Sequence, residues 1–214
     1  MARMVPAPAP HGTLPTALKI GFTVFVLLWT PLVLATRGWQ NFLWLCDLAN
    51  FLILIGLWLE SRLLLSSQLV ATLLIGLAWT LDLVIALVTG LHPFAATAYM
   101  FDPGLSVALR LSSLFHMAAP LLLLFAVARL GHDRRGWRLQ TLICWAVLPL
   151  SAWLTDTERN INWVEAPFHI EQIWLPDWLY VLACMLVYPL LLYLPTEAVL
   201  RRLLPIASPW RQPD

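Results

Sequence analysis

Asp47, Asp82 and His116 stand inside long apolar stretches of this chain, and Cys46 and Asn50 share the helical face of Asp47. A carboxylate near mid-membrane costs about 2.5–3.5 kcal/mol on insertion scales, so such groups normally face a partner or a wet cavity. Cys46 and Asn50 are four residues apart and Asp47 and Asn50 three, which places them on one side of a helix. Ser112 and Ser113 precede His116 by four and three residues and extend a polar stripe along the next such face. The chemistry these residue types point to is nucleophilic. A thiol attacks an acyl group when an imidazole takes its proton, and a carboxylate fixes that imidazole's tautomer. Cys46 supplies a thiol and His116 an imidazole for such a group, Asp82 or Asp47 could orient the imidazole, and Arg110 or loop amides would meet a developing oxyanion. A thiol buried in oil is otherwise inert, so the chemistry requires His116 within hydrogen-bond reach of Cys46.

The elements that must carry these residues are membrane helices. Of 214 residues, 60% are hydrophobic and only 12% charged, about half the charged fraction of a soluble domain. Six apolar runs, about 17–36, 42–59, 69–90, 105–128, 138–154 and 178–200, are long enough to cross a ~30 Å slab. The expectation is an all-α, six-helix transmembrane bundle over 17–204. A Pro/Ala-rich tail (1–16) precedes it as a disordered segment, uncleaved, and a short tail (205–214) follows. With the N-terminus cytoplasmic, ten of the thirteen Lys and Arg residues collect on the cytoplasmic side, and only Arg37, Arg110 and Arg159 on the other. Both termini are therefore expected inside, in a multi-pass protein of the plasma (inner) membrane.

That topology sets depths. Asn50 and Asp82 each lie about eight residues, ~12 Å, below the outer boundary, and His116 about 16 Å. Cys46 and Asp47 lie just above them, with Arg110 at the rim. The 155–177 loop, "TDTERNINWVEAPFHIEQIWLPD", is polar, aromatic and long enough to cover a cavity, with Asp156, Asn160 and Asn162 at its mouth. Asn50, Arg110, Ser112, Ser113, Asp156, Asn160 and Asn162 are the candidate substrate contacts. His92 and His169 read as solvent-facing loop residues. Asp102-Pro103-Gly104 reads as the cap that opens the fourth helix, and Gly76 and Thr80 as a close-approach surface on the third. Glu197 and Arg201 are spaced to pair.

Other features are structural. Trp39, Trp44, Trp153, Trp163, Trp174 and Trp178 form an interfacial belt. Cys144 and Cys184 read as small core residues, and no CxxC or metal-ligand spacing occurs, so neither a metal nor another cofactor is expected. A net charge of +1 without a basic tail gives nothing to hold nucleic acid. The expected partners are membrane lipid and a lipid-like small molecule.

Two stretches, "NFLWLCDLANFL" (41–52) and "SLFHMAAP" (113–120), together with six helices, resemble one membrane superfamily. It contains the androgen-dependent TFPI-regulating protein, the androgen-induced protein and a related ether-lipid acyltransferase with YwaF-type bacterial relatives. The resemblance covers residues 40–163. It implies Cys46 in the nucleophile position, His116 as base, and a lipid ester or acyl chain as substrate. Asp47 beside the cysteine departs from that pattern. Two other classes fit the same residues: a transporter or proton relay through Asp82 and His116, and a structural or assembly subunit whose polar cluster fixes helix packing. The inner half shows no matching polar group in sequence, which weighs against a through-path.

Overall fold

The structure is a computed structural model that describes residues 13–167 and 170–204. Most of the expected 1–16 tail, the 205–214 tail and His169 lie outside the described residues. The elements are α1 (Thr16–Arg37), α2 (Leu45–Leu59), α3 (Arg62–Thr89), α4 (Val107–Ser112), α5 (Phe115–Leu130), α6 (Gly136–Leu154), α7 (Asp177–Val187) and α8 (Leu194–Leu203). A π-helical turn, Tyr188–Tyr193, joins the last two. No strand occurs among the described residues.

Among the described residues four helical stretches are long and apolar enough to cross a membrane: α1, α3, α4 with α5, and α7 through α8. The apolar α2 is shorter, at 15 residues. Their outward faces carry large apolar side chains that a water-soluble protein of this size would hide. Leu27 and Leu28 of α1 and Leu87 and Val88 of α3 are all 66% exposed or more. Inward, α3 packs against α2, α5 and α6 around Ile53, Leu57, Leu65, Leu69, Leu123 and Leu148, each fully buried.

Two glycines set the helix spacing. A Cβ on Gly76 would collide with the His116 carbonyl and Pro120 of α5. Pro120 has no N–H, so the His116 carbonyl four residues earlier loses its helical donor and faces the α3 backbone instead. A Cβ on Gly136 would lie within 2.9 Å of Ser66 and Ser67, so α6 also rests directly on α3.

Two ends of the bundle are tied differently. At one end Glu60, in the turn between α2 and α3, accepts from Leu14 N at 2.9 Å and from Lys19 Nζ at 2.7 Å. The Lys19 ammonium holds its carboxyl below the usual range. The opposite end carries residues 38–44, 90–106 and 155–176 and is rich in loops. The fourth run differs from expectation. It is two helices with a break at Ser113–Leu114, and α4 is capped by Ser106, whose Oγ accepts from Leu109 N at 3.2 Å. Asp102 accepts from Gly104 N at 2.7 Å and closes a turn upstream, so it is not the cap. Ser106 wins because it stands one residue before the first helical residue, where its oxygen reaches the third free amide.

Candidate functional site

Cys46 and Asp47 occupy the first turn of α2 at the loop-rich end. Asn162 holds that turn in place. Its Oδ1 accepts from Leu45 N at 2.9 Å, and its Nδ2 donates to Leu43 O at 2.8 Å and Ser151 Oγ at 2.9 Å. Asn162 adopts a left-handed backbone (φ 54°) that asparagine tolerates better than most residues. Asn160 works within its own loop: its Oδ1 accepts from Glu165 N and Ala166 N, and its Nδ2 donates to Ala166 O at 2.7 Å. Asp156 N donates to Gln40 Oε1 at 3.4 Å. The amides of Asn160 and Asn162 are thus committed to loop structure.

Asp47 is buried and accepts from Asn41 Nδ2 at 2.5 Å. The Asn41 oxygen in turn accepts from Arg159 Nη2 at 3.2 Å, so an exposed-end cation reaches the carboxylate through one amide. Cys46 Sγ lies 4.0 Å from Asp47 Oδ1, a long contact even for sulfur. Asn50, one turn deeper, is fully buried, and neither its Oδ1 nor its Nδ2 has a partner.

His116 stands in the first turn of α5, just past the helix break. The Ser113 carbonyl, which also accepts from His116 N at 3.1 Å, lies 2.8 Å from His116 Nδ1. A carbonyl only accepts, so Nδ1 carries the proton and Nε2 presents a lone pair. The ring is clamped between Trp79, with centroids 5.0 Å apart and planes 14° from parallel, and Phe115 at 4.1 Å. Trp79 Nε1 donates to Tyr99 Oη at 3.2 Å, and the Tyr99 hydroxyl also meets the Ser113 side chain. Burial, with added repulsion from Cys46 and Asp47, pushes the Tyr99 phenol up to about 12. The tyrosine is a neutral hydroxyl closing the site from the loop side.

Asp82 has a different place from the one expected of it. It is fully buried, and its oxygens accept from Phe94 N (2.8 Å), Thr97 N (2.9 Å) and Thr97 Oγ1 (2.6 Å), with His92 Nδ1 at 4.0 Å. His92 is therefore turned toward a carboxylate. Asp82 anchors the 90–106 loop that delivers Tyr99, and the Ser113 carbonyl takes the tautomer-fixing place beside His116. Ser112 and Ser113 donate their hydroxyls to Leu109 O. Arg110 Nη1 donates to Met100 O at 3.2 Å, while its Nε is buried without a partner.

An apolar groove of about 730 Å³ opens between α1 and α4–α5 beside this site. Phe25, Trp29, Leu111, Ser112, Phe115 and Leu122 are among its lining residues. Phe115 is thus the wall between the groove and His116. Such a volume is in the range that holds a small ligand.

Trp79, Tyr99, Asn41 and Arg159 were not legible as site residues in the sequence. An aromatic residue in an apolar helix or at an interface looks like packing until its polar atom is seen to have a specific partner. Among the described residues no group of three or more His, Cys, Asp or Glu side chains is arranged to hold a metal ion. Comparison with family models, curated proteins and solved structures finds no match to this chain.

Proposed function

We propose that the chain is a six-span integral membrane protein with both termini cytoplasmic, and that it carries out acyl-ester chemistry on a membrane lipid. The observation that carries this reading is the state of His116. Its Nδ1 is held by a carbonyl, its ring is clamped by two aromatics, and its Nε2 lone pair is left as a fixed base. That is the condition an imidazole needs to activate a neighbouring nucleophile. The resemblance of residues 41–52 and 113–120 to the superfamily named above points to the same pair, Cys46 and His116.

In the proposed reaction, the acyl chain arrives laterally along the groove past Phe115. His116 Nε2 takes the Cys46 thiol proton, and the thiolate attacks the ester carbonyl. The oxyanion is met by the unpartnered Arg110 Nε–H. As the C–O bond breaks, the alkoxide takes the proton back from His116, leaving an acyl thioester on Cys46. Water, or a second lipid alcohol, then attacks that thioester with His116 again as base. Each cycle leaves the thiol and the imidazole as they began. No hydrogen bond joins Cys46 to His116 in the resting arrangement, so the reaction needs α2 and α5 to close by the gap between them.

A lipophilic alkylating probe tests the reading. Cys46 should be labelled at least about tenfold faster than Cys144 or Cys184, since thiolate fraction sets the rate. His116→Gln should remove that advantage, and Cys46→Ala should abolish turnover of a fluorogenic lipid ester. Equal labelling of Cys46 with and without the imidazole would defeat the proposal.

A further inference from the structure

Charge is divided between the two ends of the bundle. Three contacts gather the end that carries the Glu60 turn. Arg129 Nε, at the close of α5, donates to Thr13 O at 2.9 Å. Asp133 N, in the α5–α6 turn, donates to Ser66 Oγ of α3 at 3.0 Å. His132 Nε2 of the same turn lies 3.0 Å from Glu197 Oε2 of α8. Among the described residues this end holds eight Lys and Arg side chains against three carboxylates, and the loop-rich half holds three against eight.

Each of the three carboxylates already has a cation. Glu60 pairs with Lys19 at 2.7 Å, Asp133 with Arg135 at 2.8 Å and Glu197 with Arg201 at 2.7 Å. Arg62, Arg129, Arg134, Arg138 and Arg202 are left with no carboxylate partner among the described residues. Arg62 is half-buried and the other four are exposed. These free charges are all guanidinium groups, whose planar fork meets a phosphate through two parallel N–H···O bonds.

The surface beneath the arginines is apolar. Leu121, Phe125 and Arg129 follow one another at intervals of four along α5, so they share a face, and the leucine and phenylalanine are exposed. On α6 exposed Leu142 lies four residues beyond Arg138, and exposed Trp145 three beyond that. Each stripe runs from a positive head into a hydrocarbon face, which is the profile of a phospholipid standing beside a helix. Trp137 marks the level of the join: its ring centroid lies 5.6 Å from the Arg138 guanidinium carbon, and tryptophan favours headgroup depth. A soluble polyanion would use the charges alone and leave the stripes bare.

We propose that this end of the bundle is a docking surface for anionic phospholipid, with Arg129, Arg134 and Arg138 on headgroup phosphates and the α5 and α6 stripes along the acyl chains. A zwitterionic headgroup offers the same phosphate but brings its own ammonium, which competes for it. An anionic headgroup leaves its charge to the arginines. The surface lies at the opposite end of the bundle from Cys46 and His116, and ester turnover plays no part in its test.

The purified full chain in uncharged detergent is titrated with phosphatidylglycerol and with phosphatidylcholine, and bound lipid is counted by native mass spectrometry. Phosphatidylglycerol should bind at least about tenfold more tightly, since each arginine at an anionic surface is worth about fivefold. Added salt should weaken that binding and leave phosphatidylcholine unaffected. Arg134→Gln with Arg138→Gln should lower phosphatidylglycerol affinity by at least about tenfold. Both side chains are exposed, so helix content and melting temperature should hold. Asp133→Asn with Arg135→Gln removes a cation together with its carboxylate, so affinity should stay within about twofold. Excess inorganic phosphate, which has no acyl chain, should not displace the lipid. Equal binding of the two lipids, displacement by phosphate alone, or full preference in a folded Arg134→Gln, Arg138→Gln protein would each overturn the proposal.

Discussion

At the scale of single residues, the polar atoms in this bundle sort by whether the protein has used them up. Asp82, Asn160 and Asn162 are saturated by backbone partners, which makes them fasteners. His116 Nε2, Asn50 and Arg110 Nε keep unused capacity, and the proposed ester chemistry draws on the first and the last of these. Sequence named all of these residues, because a polar side chain within an apolar run is conspicuous. It could not rank them, because saturation depends on amides contributed by loops distant in the chain. Tyr99 gives a prediction at this scale. Its phenol stands at about 12 against 10.0 for an exposed tyrosine, chiefly through burial. The folded state therefore holds this proton more tightly than the unfolded state does. The resulting stabilisation is complete below pH 10 and is lost as pH rises from 10 toward 12. Phenolate absorbance of wild type minus Tyr99→Phe should show a transition near 12, and the variant's melting temperature should fall less steeply over that interval.

At the scale of elements, the site depends on how two helices begin. The first turn of α2 is fastened by Asn162, and the first turn of α5 begins where α4 breaks and the Ser113 carbonyl meets both the backbone N and the Nδ1 of His116. The apolar pattern of 105–128 is continuous, so hydropathy predicts one helix there. The break comes from local hydrogen bonding: Ser112 and Ser113 both turn their hydroxyls onto Leu109 O, and Leu114 N bonds Leu111 O. Asn162→Ala removes three buried hydrogen bonds and should cost about 2–3 kcal/mol, allowing for roughly 1 kcal/mol each. Asn162→Asp should be no better, since it places an oxygen where Nδ2 faces the Leu43 carbonyl. Thermal unfolding in detergent measures the loss. In the same samples Cys46 alkylation should change while Cys144 alkylation does not, since only Cys46 stands on the loosened turn.

At the scale of the whole molecule, the described residues form an all-helical bundle with four stretches fit to cross a membrane, and they bury polar groups at His116 and at Gln68 with Gln140. The proposed six-span arrangement rests on the six apolar runs, its sidedness on the distribution of basic residues, and it makes its own prediction. Reporter fusions after Arg138 and at the C-terminus should read cytoplasmic, and a fusion near Asn162 should read external. An external C-terminus would reverse the sidedness of the groove and of His116 together.

Sequence alone determined the membrane-helix class and the principal polar side chains, because both follow from composition and from the cost of placing polar groups in hydrocarbon. It also determined the i,i+4 pair of Glu197 and Arg201, a contact that needs only one helix. The tertiary structure decided what each polar atom faces. Asp82 went to a loop and His116 to a carbonyl. Gln68 and Gln140, far apart in the chain, meet as a buried pair in the half of the bundle where no group matching the His116 site was expected. The physical reason is that a hydrogen bond is fixed over a few tenths of an ångström. Hydropathy and helical periodicity place a residue only to within about a turn, so they single out the polar side chains of apolar helices and leave their partners open.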